Sequence, residues 1–140
     1  TLYGDMAGGF APLKDVLKGE VYELAHHRNR DGGPIPAGSI AKPPSAELRP
    51  GQLDADSLPD YPVLDAIIRG RIEELRGVED LVASGLDATE VRRVIGMIDR
   101  AEHKRRQAAP GPKVSRRAFG RERRVPITSA WDPRREENAR

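Results

Sequence analysis

The residues of this sequence that could do chemistry are glycines, lysines and hydroxyls of the kinds that bind phosphate. The stretch GDMAGG begins at Gly4 and contains Asp5. Its glycines would let backbone N–H groups approach an anion closely, and the adjacent carboxylate could hold a metal ion. Its spacing matches neither the GxxxxGK(S/T) nor the GxGxxG phosphate-binding pattern. On spacing alone, a turn that precedes a helix is the more common explanation.

Further cations and a hydroxyl follow along the chain. Lys18 could contact a bound phosphate as a point charge. Lys42 and Ser45 lie in the stretch KPPSAEL, where an ammonium and a hydroxyl could close over a phosphate, and the stretch EHKRRQ contains His103 and Lys104. Each also has an ordinary explanation: an exposed lysine, a surface loop, and cations that complement a helix C-terminus. The residues alone leave both explanations open.

Metal-binding and cysteine-based chemistry have little support in this sequence. The adjacent residues His26 and His27 point to different faces of a helix, so they cannot chelate one metal ion as a pair. The chain contains no cysteine, which excludes a disulfide framework, a thiolate metal site and a cysteine nucleophile. We therefore predict neither a metal site nor a catalytic nucleophile in this segment.

These residues lie on a chain whose apolar spacing predicts helices separated by long loops. The segment 29–59 has five of the twelve prolines between Pro34 and Pro50 and is too long for a passive connector, which is typical of a lid or a binding loop. After residue 108 we expect a basic tail with a short extended piece, RRVPITSAW. The helices are predicted over about 13–28, from Asp60 to Ile72, over Val78–Ser84, and from Asp87 to about Gln107.

The last of these helices has the clearest pattern. Asp87 is followed three residues later by Glu90, which is a variant of the capping box. The apolar residues that come next have the spacing of one helical face: Val91, Val94, Ile95 and Ile98. This face is the predicted core contact.

Composition and charge limit the class of protein. Of the 140 residues 37% are hydrophobic and 4% aromatic, which predicts a thin core and favours a fragment of a larger domain. No apolar run approaches the length of a membrane span, so we expect a cytoplasmic protein without a membrane partner. The net charge is only +2, but residues 103–140 contain twelve Lys or Arg against four Asp or Glu. This basic end should attract phosphate groups.

Three separated stretches together resemble the C-terminal part of the synthetase domain of bacterial glutamine-dependent NAD synthetases. They are TLYGDMAGGFAPLKDVLKGEVYELAHHRN, IAKPPSAELRPGQLDADSLPDYPVLDAII and RAEHKRRQAAPGPKVSRRAFGRERRVPIT. The resemblance implies an α/β parent domain with a parallel sheet, of the Rossmann-like adenine nucleotide alpha-hydrolase type. Residues 1–140 would form its mainly α-helical C-terminal portion, with 29–59 as an active-site lid loop and 108–140 as the basic tail.

The resemblance also implies a ligase that forms a carbon–nitrogen bond in two steps. The nicotinate carboxylate of deamido-NAD attacks the α-phosphorus of ATP, which gives an acyl-adenylate and pyrophosphate, and ammonia from glutamine then displaces AMP. Mg²⁺ and cationic side chains would balance the charge on the phosphates. The resemblance places Lys18 and Ser45 at ATP and His103 with Lys104 at deamido-NAD.

Other parts of the family pattern are missing or altered in this sequence. Gly4 and Asp5 keep a substrate-side or structural role in the resemblance, but Leu2 and Gly9 stand where shorter, ammonia-dependent members have a lysine and an acidic residue. The SGGxDS-type pyrophosphate loop, the upstream magnesium-binding glutamate and the glutaminase domain do not occur in these 140 residues. We therefore expect no NAD synthesis by the chain alone. The resemblance also implies that the parent enzyme is a homo-oligomer.

Two other function classes stay open from the residues. The basic tail could bind nucleic acid, although Phe119 and Trp131 are its only aromatic residues and do not alternate with the arginines as a stacking platform would. The chain could instead be a purely structural or oligomerisation fragment. A proline-rich loop of this length argues against that class.

Overall fold

The structure of the protein is a computed structural model. It describes residues 9–46, 48–120 and 122–128. Gly4 and Asp5 lie outside the described residues, as do Leu2 and Trp131. The described residues contain helices and turns but no strand, so the prediction of a mainly α-helical segment with long loops is confirmed for them. The α-helices are α1 (Lys18–Arg28), α2 (Ala37–Ala41), α3 (Tyr61–Ile72), α4 (Val78–Ala83), α5 (Ala88–Arg100) and α6 (Glu102–Gln107).

The chain divides into two compact units. One, here called the core unit, consists of Thr1–Asp15 and Ile67–Arg140. The other, here called the loop unit, consists of Val16–Ala66. Helix α3 crosses the boundary, so its first half belongs to the loop unit and its second half to the core unit.

The hydrophobic centre of the core unit is built around α4 and α5, which pack against each other. Helix α5 begins where the sequence predicts, because Asp87 Oδ1 accepts a hydrogen bond from the N–H of Glu90 at 2.9 Å. Helix α4 ends before Gly85, whose φ of +97° lies in the left-handed region that favours glycine. The predicted apolar face is confirmed, since its residues are at most 5% exposed: Val91, Val94, Ile95 and Ile98.

The prediction of one continuous helix from Asp87 to about Gln107 is wrong. Helix α5 ends at Arg100 and α6 begins at Glu102, with Ala101 between them at φ −82° and ψ 5°. The guanidinium of Arg105 donates to the carbonyl oxygen of Ile98 in the last turn of α5. Carbonyls in the last turn of a helix lack an intrahelical partner, so this side chain satisfies one of them and stabilises the break.

The predicted start of the first helix is also wrong. We expected a helix from about residue 13, but α1 begins at Lys18. The residues before it are engaged elsewhere, because the Nζ atom of Lys14 donates to the carbonyl oxygen of Ala109 at 2.8 Å and Asp15 binds the segment 114–119. The spacing of apolar residues in a sequence does not reveal long-range hydrogen bonds of this kind.

The loop unit has little buried surface. Among its described residues only Leu64 is classed as buried, at 9% exposure. Polar contacts hold its parts together: the N–H of Gly19 donates to Asp65 at 2.8 Å, and the Tyr61 hydroxyl donates to Asp54 at 2.5 Å. The segment 29–59 also contains two short helical elements, α2 and a 3-10 turn at Asp54–Asp56.

Within the described ranges, no helix combines the length and the apolar character that a membrane crossing requires.

Candidate functional site

Helix α6 presents two of the predicted ligand-binding side chains to solvent. His103 and Lys104 are exposed, whereas the preceding residue Glu102 is only 3% exposed. Arg105 and Arg106 follow one turn after Glu102 and lie on its side of the helix, because positions i, i+3 and i+4 share a face. The structure therefore separates an exposed pair, His103 and Lys104, from a pair bound to Glu102, in which the Arg105 side chain is 9% exposed and the Arg106 side chain 40% exposed.

The inward face of α6 is held by an ion-pair cluster, here called the Glu102 cluster, of Glu102, Arg105 and Arg106. Glu102 accepts from Arg105 Nη2 at 2.8 Å and from Arg106 Nε at 2.9 Å. Burial raises the pKa of Glu102, but the hydrogen bonds from the two guanidiniums outweigh this and lower the pKa below its usual range. Complementing the helix dipole alone does not account for these arginines, because both also pair with a buried carboxylate.

The ring of His103 contacts a backbone carbonyl near the end of α5. Its Nδ1 atom lies 3.0 Å from the carbonyl oxygen of Arg100. A carbonyl oxygen can only accept, so this hydrogen bond requires a proton on Nδ1, and in the neutral form of such a ring Nε2 is an acceptor. Beside it, the Lys104 ammonium is a donor with positive charge. The pair can therefore bind a ligand that carries both a hydrogen-bond donor and an anionic group.

The described part of the tail beyond residue 108 contacts α5 and α6. The Arg105 guanidinium lies 5.1 Å from the centroid of the Phe119 ring, and Arg106 Nη2 donates to the carbonyl of Val125 at 2.9 Å. Arg123 approaches Asp99 of α5 at 3.4 Å. Several of the cations in this basic stretch are thus paired within the core unit.

Asp15 joins the N-terminal part of the core unit to the same tail. Its carboxylate accepts hydrogen bonds of 2.8–2.9 Å from the backbone N–H groups of Val114, Ser115 and Phe119 and from the Ser115 hydroxyl. Partial burial raises the pKa of Asp15, but these hydrogen bonds lower it below its usual range. A Cβ at Gly111 would clash with the carbonyl of Ala11, so this packing requires a glycine there.

Lys18 is the first residue of α1. The predicted helix start at about residue 13 would have placed Lys18 one turn into the helix. Its side chain is exposed, with Nζ 5.6 Å from the centroid of the Tyr22 ring. The N–H of Leu17 donates to Glu20 at 3.0 Å, and the N–H of Gly19 donates to Asp65. Since carboxylates already occupy these N–H groups, the Lys18 ammonium is the group at this helix start that can contact a phosphate.

Ser45 lines a hollow of about 490 Å³ in the loop unit. Lys42 and Arg49 line the same hollow, so the structure brings the predicted hydroxyl together with two cations. Arg49 was not predicted, and it also lies 3.7 Å from Asp56. Lys18 is not one of the described residues that line this hollow.

Of the four predicted contacts that the structure describes, two belong to each unit, and only one of these two pairs is brought together. His103 and Lys104 are neighbours in the core unit, and Lys18 and Ser45 lie on different segments of the loop unit. Sequence reasoning missed the Glu102 cluster, although an acidic residue three and four positions before two arginines is a signal for such pairing. In the described parts of the chain, no three His, Asp or Glu side chains come together as a metal site.

Comparison with known proteins places these residues in context. The family model described as NAD synthase matches residues 1–108. The chain is 56% identical over 135 residues to a glutamine-dependent NAD(+) synthetase of Acinetobacter baylyi, covering 95% of the chain and 25% of that protein. It is 55% identical over 133 residues to the enzyme of the same name from Xanthomonas campestris pv. campestris, covering 94% of the chain and 24% of that protein.

A solved structure agrees with these sequence relationships. The glutamine-dependent NAD+ synthetase of Acinetobacter baumannii in complex with ADP is 48% identical, with a TM-score of 0.52, over 94% of this chain and 23% of that one. The chain therefore spans about a quarter of the length of the relatives it matches. The family match covers well over half of the 140 residues and includes both α6 and the Ser45 segment. On these grounds, the chain belongs to the NAD synthase family.

Proposed function

We propose that this chain contributes substrate-binding residues to a glutamine-dependent NAD synthetase, which amidates deamido-NAD at the expense of ATP. The observation that carries the proposal is the identity of 51–56% to several enzymes of that name over about 94% of the chain. We assign residues 1–140 to the C-terminal portion of an α/β synthetase domain with a parallel sheet. Within it, 29–59 is the lid loop and 108–140 the basic tail.

The chemistry asks for positioning more than for a catalytic base. The nicotinate carboxylate of deamido-NAD must meet the α-phosphorus of ATP, and ammonia must then displace AMP from the acyl-adenylate. Both steps bring anionic groups together, so aligned cations and hydrogen-bond donors lower the barrier. The exposed lysines and the serine described above are groups of this kind.

Each group has an assigned role in the proposal. Lys18 binds a phosphate of ATP, and Ser45, with the cations of its hollow, contacts ATP from the lid loop. His103 and Lys104 bind deamido-NAD, with Lys104 facing an anionic group of that substrate. We assign no magnesium ligand to this segment, as the family resemblance implies.

The remaining parts of the reaction lie with sequence outside these 140 residues. The SGGxDS-type loop that would hold pyrophosphate does not occur in them. We propose that this loop, the magnesium ligands and the source of ammonia from glutamine belong to the rest of a cytoplasmic, homo-oligomeric enzyme. In this proposal the isolated 140-residue chain makes no NAD.

The proposal can be tested in a chimera. The matching segment of the Acinetobacter baylyi enzyme is replaced by this chain, and formation of NAD from deamido-NAD, ATP and glutamine is measured. We expect an active chimera. In it, Lys104→Ala should raise the KM for deamido-NAD and Lys18→Ala the KM for ATP, each by about 10- to 100-fold, the effect of losing a charge-assisted hydrogen bond.

A matched lysine serves as the control. Lys113 is half-exposed and pairs with Glu122 at 2.6 Å in the tail. Lys113→Ala should leave both KM values within about twofold, since surface ion pairs contribute little. A folded but inactive chimera, or an active one in which Lys104→Ala and Lys113→Ala behave alike, contradicts the proposal.

A nucleic-acid function receives less support from the structure. Within the described part of the tail, Lys113 and Arg123 pair with carboxylates, and Arg105 covers the Phe119 ring that a base would need for stacking. Filter binding of nucleic acid at increasing salt concentration decides between this function and NAD synthesis. We expect no sequence-independent binding whose affinity falls steeply with salt.

A further inference from the structure

Helix α6 is too short to be stable by itself. It contains six residues, and isolated helices below about 12–15 residues are marginal in water. Most short helices gain their stability from apolar residues packed on a core. Among the residues of α6, all of which the structure describes, Glu102 alone is buried. The helix is therefore attached through a carboxylate instead of an apolar side chain.

The Glu102 cluster decides which way α6 faces. Glu102 binds Arg105 and Arg106 on the inner side, and the two guanidiniums continue to the carbonyls of Ile98 and Val125. These contacts attach α6 both to α5 and to the tail. Positions one and two residues after Glu102 then point away from the inner face, since each residue advances the helix by about 100°. Those positions are His103 and Lys104.

The cluster also shapes the charge that a ligand meets. Four consecutive residues, from His103 to Arg106, include three permanent cations. The buried carboxylate pairs with Arg105 and Arg106 and offsets part of their charge. The third cation, Lys104, is exposed and adjacent in sequence to His103. Lys104 is therefore the cation of this stretch whose charge the Glu102 cluster does not offset.

We infer that Glu102 is a positioning residue for deamido-NAD binding: by pairing with Arg105 and Arg106, it holds α6 so that His103 and Lys104 are oriented toward the substrate. The inference rests on the proposed function of that pair. Glu102 itself does not contact the substrate, and its carboxylate acts only through α6. Its removal should therefore affect one substrate selectively, because the ATP contacts are assigned to the loop unit.

The kinetic test compares Glu102→Gln with Glu102→Asp in the chimera. We expect Glu102→Gln to raise the KM for deamido-NAD by about 10- to 100-fold, the effect of misplacing a binding group by about 1 Å. The KM for ATP should stay within about twofold. Glu102→Asp keeps the charge and should recover part of the loss. An equal change in both KM values, or none for deamido-NAD in a folded variant, overturns the inference.

A matched control separates positioning from the loss of any ion pair. Glu90 pairs with Arg93 at 3.0 Å with the same i, i+3 spacing, but both side chains are at least 35% exposed on α5. Glu90→Gln should leave the KM for deamido-NAD unchanged. A rise equal to that of Glu102→Gln would contradict the assignment to Glu102.

A second readout uses the 140-residue chain without turnover. The chain contains three histidines, so the ring ¹⁵N signals of His103 can be assigned by comparison with His103→Gln. We expect the Nδ1–H tautomer in the unsubstituted chain and a shift toward the Nε2–H tautomer in Glu102→Gln. If the parent chimera is inactive, the proposed function fails, and this measurement still decides whether Glu102 orients His103. An unchanged tautomer in Glu102→Gln then overturns it.

Discussion

The core unit and the loop unit present their predicted ligand contacts in different ways. In the core unit, His103 and Lys104 lie on a helix that is held by ion pairs to the buried Glu102, and the apolar face of the neighbouring α5 is at most 5% exposed. In the loop unit, Lys18 and Ser45 lie on segments with almost no buried side chains. The first arrangement orients its groups before a ligand arrives. The second leaves more of the ordering to the ligand.

This difference gives the two units different tasks in the proposed reaction. A rigid contact suits recognition of one particular dinucleotide, since a preorganised site loses less entropy on binding. A loop with a shallow core suits a segment that closes over ATP after it binds. Mutations in the core unit should therefore change global stability and recognition together. Mutations in the loop unit should act locally.

The largest effect should come from the apolar centre of the core unit. Ile95 is 1% exposed, and Ile95→Ala should lower the free energy of unfolding by about 2–5 kcal/mol. Leu24→Ala is the matched control in the loop unit, because Leu24 is 50% exposed and should change the free energy by less than about 0.5 kcal/mol. Urea unfolding followed by circular dichroism measures both. Equal losses of unfolding free energy in Ile95→Ala and Leu24→Ala would contradict the contrast between the units.

The next effect concerns Asp15 and depends on pH. Its pKa is lowered in the folded state, so the unfolded state binds more protons, and this part of the stability is full above the unfolded pKa of about 3.9. It is lost as the pH falls through the folded pKa. At pH 7, Asp15→Asn should cost about 1.5–3 kcal/mol. The difference between the two proteins should shrink below pH 4.

Thermal unfolding at a series of pH values checks the Asp15 prediction. Glu102 also has a lowered pKa, so the unsubstituted chain should lose stability with acid even without Asp15. The diagnostic quantity is the gap between the chain and Asp15→Asn. A gap that stays constant from pH 7 to pH 3 would show that the four hydrogen bonds do not depend on the carboxylate charge.

The smallest effect should occur in the loop unit. The Tyr61 hydroxyl joins the start of α3 to the 3-10 turn at Asp54–Asp56 through its hydrogen bond to Asp54. Tyr61→Phe should cost about 0.5–1.5 kcal/mol. Amide exchange should accelerate at 54–58 and stay unchanged in α5, whereas Tyr22→Phe should leave both unchanged. Faster exchange in α5 would mean that the effect is not local.

Much of the secondary structure follows from short-range pattern. The Asp87 cap, the apolar face of α5 and the stop at Gly85 need only neighbours within a few residues, and the structure agrees with each prediction. The boundaries that failed involve partners far along the chain. Helix α1 begins late because Lys14 and Asp15 bind residues about 95–104 positions away. No local pattern contains that information.

The family membership also follows from the sequence, because motifs in fixed order are sufficient to recognise a relative. The same motifs name His103, Lys104, Lys18 and Ser45 as candidates. They do not say how these residues are held. Only the structure divides EHKRRQ into an exposed pair and a pair bound to Glu102, and only the structure places Arg49 beside Ser45 in one hollow.

The sequence by itself determined the helical character, the capped and apolar α5, and membership of the family, since these depend on residue type and local spacing. The tertiary structure decided where α1 begins, why α6 separates from α5, and which charges face solvent. These outcomes depend on hydrogen bonds and ion pairs between residues that are distant in the chain or share a helix face. Such contacts form only once the core has brought their partners together.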